Sequence, residues 1–209
     1  VEAAGLPAFE QSILDGGWQG PEYRIWETDE AGQPIPAADR PVHYPIGYVE
    51  AATSLSRYGL MPGRDLAAIG DVRAVLVETE QNGLISATDL LPPLPGATGR
   101  RTLILVFRPV RKFENRGMPK GFVMAAVDPQ VFLLSFLGET PEEDRQVARD
   151  LLLLRPGAEP QSIASVAAPG SHAGPPKRLT DSWTLTRPII AFGKTYAVSI
   201  RPSATFVAI

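Results

Sequence analysis

The apolar positions Leu6, Phe9, Ile13 and Leu14 recur at three- to four-residue spacing and stop at Gly16-Gly17. That period predicts the end of an amphipathic helix, with Pro7 limiting its regularity. Alternation over 23–28 predicts a strand, Glu30-Ala31-Gly32-Gln33 a turn, and 43–50 a second extended segment. A short helix is expected over 50–58, stopped by Gly59, and a helical turn at 66–69 behind Asp65 as acidic N-cap. Val72, Val75, Leu76 and Thr79 fall on one face of a helix over 71–81 that Asn82-Gly83 closes. Strands are predicted at 84–88, 102–107 and 121–127; the second is continuously apolar after its first residue, the pattern of a central strand covered on both faces. Asp128-Pro129 opens a helix through Leu137 that Gly138 ends. Beyond it, Thr140-Pro141-Glu142-Glu143 has the capping-box pattern, 151–155 reads as a strand and Pro156-Gly157 as a turn. After a Pro/Gly/Ala-rich loop over 167–176, strands at 182–187 and 189–200 make the last hairpin, with a turn at Gly193-Lys194.

At 209 residues, 44% apolar and 21% charged, the chain can bury a core, and its size fits one large domain or two small ones. Its 19 glycines and 21 prolines favour many turns and few long helices. Twenty basic residues face 23 acidic ones, for a net charge of -3, which argues against a nucleic-acid partner held by a basic field. No apolar run approaches the roughly 18 residues of a membrane span. The start at Val1 leads us to expect a piece of a longer protein, lying outside the bilayer if the parent is membrane-bound.

Few residues of the chain offer catalytic or metal-binding chemistry. There is no cysteine, so thiolate metal sites and cysteine nucleophiles are excluded. His43 and His172 are far apart and lack zinc-ligand spacing. Ser171 directly follows Gly170, so Gly170-Ser171-His172-Ala173-Gly174 is not a nucleophile elbow. Gly193-Lys194-Thr195 ends like a phosphate-binding loop, but the glycine required five residues earlier is Pro188, which has no amide proton. Arg100, Arg101, Arg108 and Arg111 could clamp an anion, with a solvated sheet edge as the competing reading. No catalytic constellation survives and no cofactor is implied.

Six phrases in order are similar to the CHASE domain, the extracytoplasmic sensory module of bacterial membrane histidine kinases and nucleotide cyclases. They are Phe9-Glu10-Gln11; Tyr44-Pro45-Ile46-Gly47-Tyr48-Val49-Glu50, which resembles the family's Tyr-Pro-Val-x-Tyr-Val-Glu-Pro; Gly63-Arg64-Asp65; Val72-Arg73-Ala74-Val75-Leu76 running to Asn82-Gly83; Phe107-Arg108-Pro109-Val110; and Lys120-Gly121-Phe122-Val123 leading to Asp128. The resemblance covers about 9–137 and fades beyond. It implies an α+β fold: an N-terminal stalk helix ending over 1–15, a membrane-distal PAS-like ligand-sensing unit over 16–139, and a smaller membrane-proximal α+β unit over 140–209, with antiparallel sheets in both units.

By the same resemblance the chain is expected to be a ligand-sensing domain of a membrane receptor of the histidine kinase or diguanylate cyclase type. It would be periplasmic or extracellular, bind a small molecule in the distal unit, work as a homodimer in the full-length receptor, and have no catalytic activity of its own. Tyr44, Tyr48, Asp71, Ser86, Thr88, Phe107 and Met124 are the candidate ligand-binding residues, with ordinary core packing as the competing reading for each. Plant members of the family sense cytokinins through a helix aspartate and a strand threonine. Those positions fall here on Val72, beside Asp71, and on Phe107, so a smaller or less polar ligand is expected. The rival expectation is an extracytoplasmic protein-interaction domain with no small-molecule ligand, and a secreted hydrolase is the remote third.

Overall fold

In the computed structural model the described residues are 1–18, 20, 22–50, 55–111, 119–137, 147–168 and 184–202. The chain is α+β, with a short N-terminal helix and antiparallel sheets. Helix α1 is Leu6–Asp15, preceded by a 3-10 turn at Ala3–Gly5, with Pro7 tolerated in its first turn. Phe9 of α1 meets Tyr23 edge to face at 6.3 Å between ring centroids.

The strand expected over 23–28 shortens to β1, Trp26–Thr28, which pairs with β2, Pro34–Pro36, across a turn in which Gly32 donates to the carbonyl of Asp29 at 3.0 Å. Segment 43–50 is not a strand. Its backbone groups are taken one by one by the 63–66 segment: Ile46 N–H donates to Arg64 O at 3.0 Å, and Tyr44 O accepts from Leu66 N–H at 3.0 Å. Of the helix expected over 50–58, positions 51–54 lie outside the described residues, and the remainder is a 3-10 turn, Ser56–Tyr58, closed by left-handed Gly59. Asp65 caps the 3-10 turn Leu66–Ala68, accepting from the Ala67 amide at 2.9 Å.

Helix α2, Gly70–Asn82, buries Val72, Leu76 and Thr79 at i, i+4 and i+7, and Gly83 closes it in the left-handed conformation. It lies on a three-stranded sheet of order β3-β4-β5, formed by Ser86–Ala87, Ile104–Val110 and Gly121–Val127. Strand β4 is central and serves two cores. Leu103 (just ahead of it), Leu105 and Phe107 join Val72, Leu76 and Leu60 on one side; Ile104 and Val106 join Ala87, Leu153, Ile163 and Tyr196 on the other. The continuous apolar run is explained by that double duty.

Helix α3, Pro129–Leu137, is capped by Asp128, whose carboxylate accepts from the amides of Gln130 and Val131, both at 3.0 Å. The Gln130 side chain then makes a two-way bond with the backbone of Ser165, at 3.0 and 3.1 Å. The capping-box segment at 140–143, most of the stretch expected as a loop over 167–176, and the start of the strand expected over 182–187 lie outside the described residues. The second sheet has the order β7-β6-β9-β8, from Gln161–Val166, Val147–Leu154, Lys194–Pro202 and Leu185–Ala191. Strand β7 was not expected from the sequence. The final hairpin turns at Phe192-Gly193, both at positive φ (54° and 75°), which suits a two-residue connection. Pro188 lies inside β8, where the sequence suggested a break; β8 is an outer strand, the place where a sheet tolerates a missing amide.

Besides the shared core, the two sheets are tied by the Ala87 amide, which donates to Phe192 O at 3.2 Å, and by Asp89, which receives Arg155 at 2.8 Å and Lys194 at 2.6 Å.

Candidate functional site

A cleft of about 560 Å³ opens beside Trp18 and the 22–24 segment, between the β1–β2 hairpin and the 56–64 segment. Trp18, Tyr23, Trp26, Thr28, Met61 and Arg64 are among its walls. Two glycines make this geometry possible. A Cβ on Gly63 (φ +83°) would lie 2.2 Å from the carbonyl oxygen of Arg24, and one on Gly59 (φ +72°) would lie 2.6 Å from Nη1 of Arg64. The close approach at Gly63 lets its carbonyl accept from the Trp26 amide at 3.0 Å, while the Asp65 amide donates to Trp26 O at 2.7 Å. The indole Nε1 of Trp26 donates to Pro62 O at 2.9 Å, which fixes the ring.

Arg64 is 1% exposed. Its guanidinium stands 5.8 Å from the centroid of the Trp26 ring and donates to Gly59 O at 2.5 Å and Thr28 Oγ1 at 3.3 Å. All three of those partners line the cleft. No carboxylate pairs with Arg64 among the described residues, and burial lowers the pKa of the guanidinium. The other charged wall residues already have partners: Arg24 pairs with Glu22, also in the wall, and with Glu10 of α1 at 3.1 Å. Glu10 in addition accepts from the Ile25 amide at 2.9 Å, so the wall of the cleft is tied directly to α1. Tyr23 donates to Ile46 O at 2.9 Å, and its pKa is pushed up to about 12, chiefly by burial.

Behind the cleft lies a polar knot. The Asp65 carboxylate is fully buried and accepts from His43 Nδ1 at 2.8 Å, Arg40 at 3.0 Å, and the Tyr44 and Ala67 amides at 2.8 and 2.9 Å. Arg40 also pairs with Glu27 at 2.5 Å. Four donors on one carboxylate lock the 43–46 and 64–67 segments together.

The sequence-derived candidates do not converge on the cleft. Phe107 (1% exposed) is core on β4, paired in register with Ser86 and Met124. Ser86 is buried, and Thr88 Oγ1 accepts the Leu105 amide at 3.0 Å, so that hydroxyl extends the strand ladder. Met124 and half-buried Tyr44 pack against the same core, where Tyr44 meets Phe122 edge to face at 5.9 Å and donates to Glu80 at 3.1 Å. Asp71 is exposed in the first turn of α2, whereas Val72 beside it is buried. Tyr48 is 80% exposed and lines a second recess, of about 490 Å³, with Trp18 and Ile13. Tyr44, Phe107 and Met124 therefore share one core, and Tyr48 and Asp71 stand apart from it.

Arg64 was passed over in the sequence because a lone arginine normally reads as surface. The available signal was its place in Gly63-Arg64-Asp65, beside an N-cap aspartate.

An apolar groove of about 270 Å³ also runs between the sheets, past Val106, Phe132, Ile189 and Phe192. Among the described residues no group of three or more His, Asp or Glu side chains is placed to hold a metal ion, and no helix is long and apolar enough to cross a membrane. No protein-family model matches the chain, and no curated protein matches it.

Proposed function

We propose that the chain is the extracytoplasmic ligand-sensing domain of a membrane-bound signalling receptor, of the histidine kinase or diguanylate cyclase type, and that its two sheets belong to two PAS-like units. The observation that carries the reading is the aromatic cleft with a buried, carboxylate-free arginine in its wall. Its volume is within the range of small-molecule pockets, and it combines apolar rings with a few placed polar groups. The ordered CHASE-like phrases over 9–137 support the same reading.

Signalling by such a domain is a population shift. A ligand that fits one arrangement of the cleft better than another biases whatever the walls are tied to. Here the Arg24–Glu10 and Ile25–Glu10 bonds tie the wall to α1, the helix that would continue as the stalk. A thermal-shift screen against small metabolites tests the proposal. A ligand present at 100 times its dissociation constant adds about 2.7 kcal/mol of stability, and Trp26→Ala should abolish that gain. A broad metabolite panel that leaves the melting temperature unchanged would count against a small-molecule sensor.

The apolar groove between the sheets favours a second reading, a protein-interaction domain without a small-molecule ligand. Receptor output that survives Trp26→Ala but is lost on Phe132→Glu would select it.

A further inference from the structure

We infer that the cleft takes a small organic carboxylate with a flat apolar body, and that Arg64 is the counter-charge of its carboxylate. This rests on reading the cleft as the ligand site, and it specifies what that ligand must carry.

The charge is the starting point. A guanidinium that is 1% exposed has lost its hydration, and buried charges are ordinarily paired. Arg64 is not: Gly59 O and Thr28 Oγ1 are both neutral acceptors. A guanidinium has five N–H donors in a fixed fork. Two are accounted for, which leaves as many as three without a protein acceptor among the described residues. Hydrogen bonding to a carbonyl and a hydroxyl does not need a full positive charge, so a purely structural role leaves the charge unexplained.

Among the described residues the wall offers nothing to neutralise it: Glu22 is the one carboxylate in the lining, and it is engaged with Arg24. The next carboxylate inward, Asp65, already has four donors from His43, Arg40 and two amides. The remaining acceptor of matching charge and shape is a ligand, which must displace part of the wall to reach a guanidinium only 1% exposed. A carboxylate meets the guanidinium fork with two parallel bonds, and its single charge balances one arginine. A dianionic phosphate at the same place would keep one charge uncompensated.

The rest of the ligand follows from the walls. The Trp26 ring is held by its Nε1 bond to Pro62 and already stacks toward the guanidinium, and Trp18 stands edge-on to Tyr23 at 5.8 Å. Rings of this kind bury flat apolar bodies best.

The test compares benzoate, phenylacetate and indole-3-acetate with their primary amides and with inorganic phosphate, by thermal shift and calorimetry on the intact domain. The expected result is that at least one carboxylate raises the melting temperature, that its amide binds about 10-fold or more weakly, and that Arg64→Met weakens the carboxylate about 10- to 100-fold. Trp26→Ala should weaken acid and amide alike. Arg64→Met should melt at or above the parent, because an apolar side chain of similar length relieves the buried charge. If that variant fails to fold, Arg64→Lys serves: it keeps the charge, loses the fork, and should retain only part of the affinity. Amides that bind as tightly as their acids, still sensitive to Trp26→Ala, overturn the carboxylate inference and leave the cleft as a ligand site. Phosphate that binds more tightly than every carboxylate, through Arg64, overturns it as well. The absence of binding by acids and amides at millimolar concentration overturns both.

Discussion

The Asp65 carboxylate and the His43 imidazole are joined at 2.8 Å, and both side chains are essentially sealed from solvent. Removing a buried partner is expensive because the groups left behind keep their desolvation cost. Asp65→Ala is therefore expected to cost about 3–5 kcal/mol in urea unfolding. Asp65→Asn, which keeps an oxygen for the Tyr44 and Ala67 amides, should cost clearly less. Equal losses would mean that the carboxylate's charge contributes nothing to the knot.

The candidate residues separate into core and surface by mutation. Phe107→Ala empties a site 1% exposed on the central strand and should cost about 3–5 kcal/mol. Tyr48→Ala, at 80% exposure, should stay within about 0.5 kcal/mol. Chemical denaturation of the two variants checks the pair directly.

Tyr44 provides a spectroscopic handle. Burial, then the charge of Glu80 and the bond to it, push the Tyr44 pKa up to about 12. The folded state holds this proton more tightly than the unfolded chain does. Its contribution is present below the ordinary value of 10.0 and is lost as the pH rises from there through about 12. Tyr44→Phe should remove one high-pH component from the phenolate absorbance titration and cost about 0.5–1.5 kcal/mol near neutrality.

Acid acts on the tie between the sheets. Burial alone would raise the Asp89 pKa, but the hydrogen bonds and charges of Lys194 and Arg155 outweigh it and hold the value below the ordinary 3.8. The folded state thus favours the ionised form, and the stabilisation is complete above 3.8 and fades as the pH falls through the lowered value. Asp89 is partly exposed, so solvent screening keeps the effect at or below about 1 kcal/mol. Asp89→Asn should flatten the acid limb of the melting-temperature profile and shift the neutral plateau only slightly.

Elements that announce themselves locally were legible in the sequence. Helix α2 carried its own boundaries in the spacing of Val72, Leu76 and Thr79 and in the Asn82-Gly83 stop, and β4 carried its double burial as an uninterrupted apolar run. Strand β7 was missed because Gln161–Val166 mixes small and polar residues and earns its strand by pairing with β6. Segment 43–50 looked extended, yet its partners are single bonds to a loop that no periodicity reveals. The cleft was illegible for a similar reason. Trp26 and Thr28 belong to β1, Gly59 closes a 3-10 turn and Arg64 follows it, 36 residues along the chain from Thr28, and only the fold brings them to one place.

The alternation of β4 between two cores also constrains how the chain can change length. One residue added or lost between Leu103 and Phe107 would send Leu105 and Phe107 to the side now filled by Ile104 and Val106, mispacking both cores at once. The proline-rich loop just before it, with Pro92, Pro93, Pro95 and Gly96 mostly exposed, meets no such parity rule. Leu94 is itself core, so insertions and deletions among descendants of this sequence should accumulate at 97–101 and stop abruptly at 103, a boundary set by the arithmetic of a two-residue repeat.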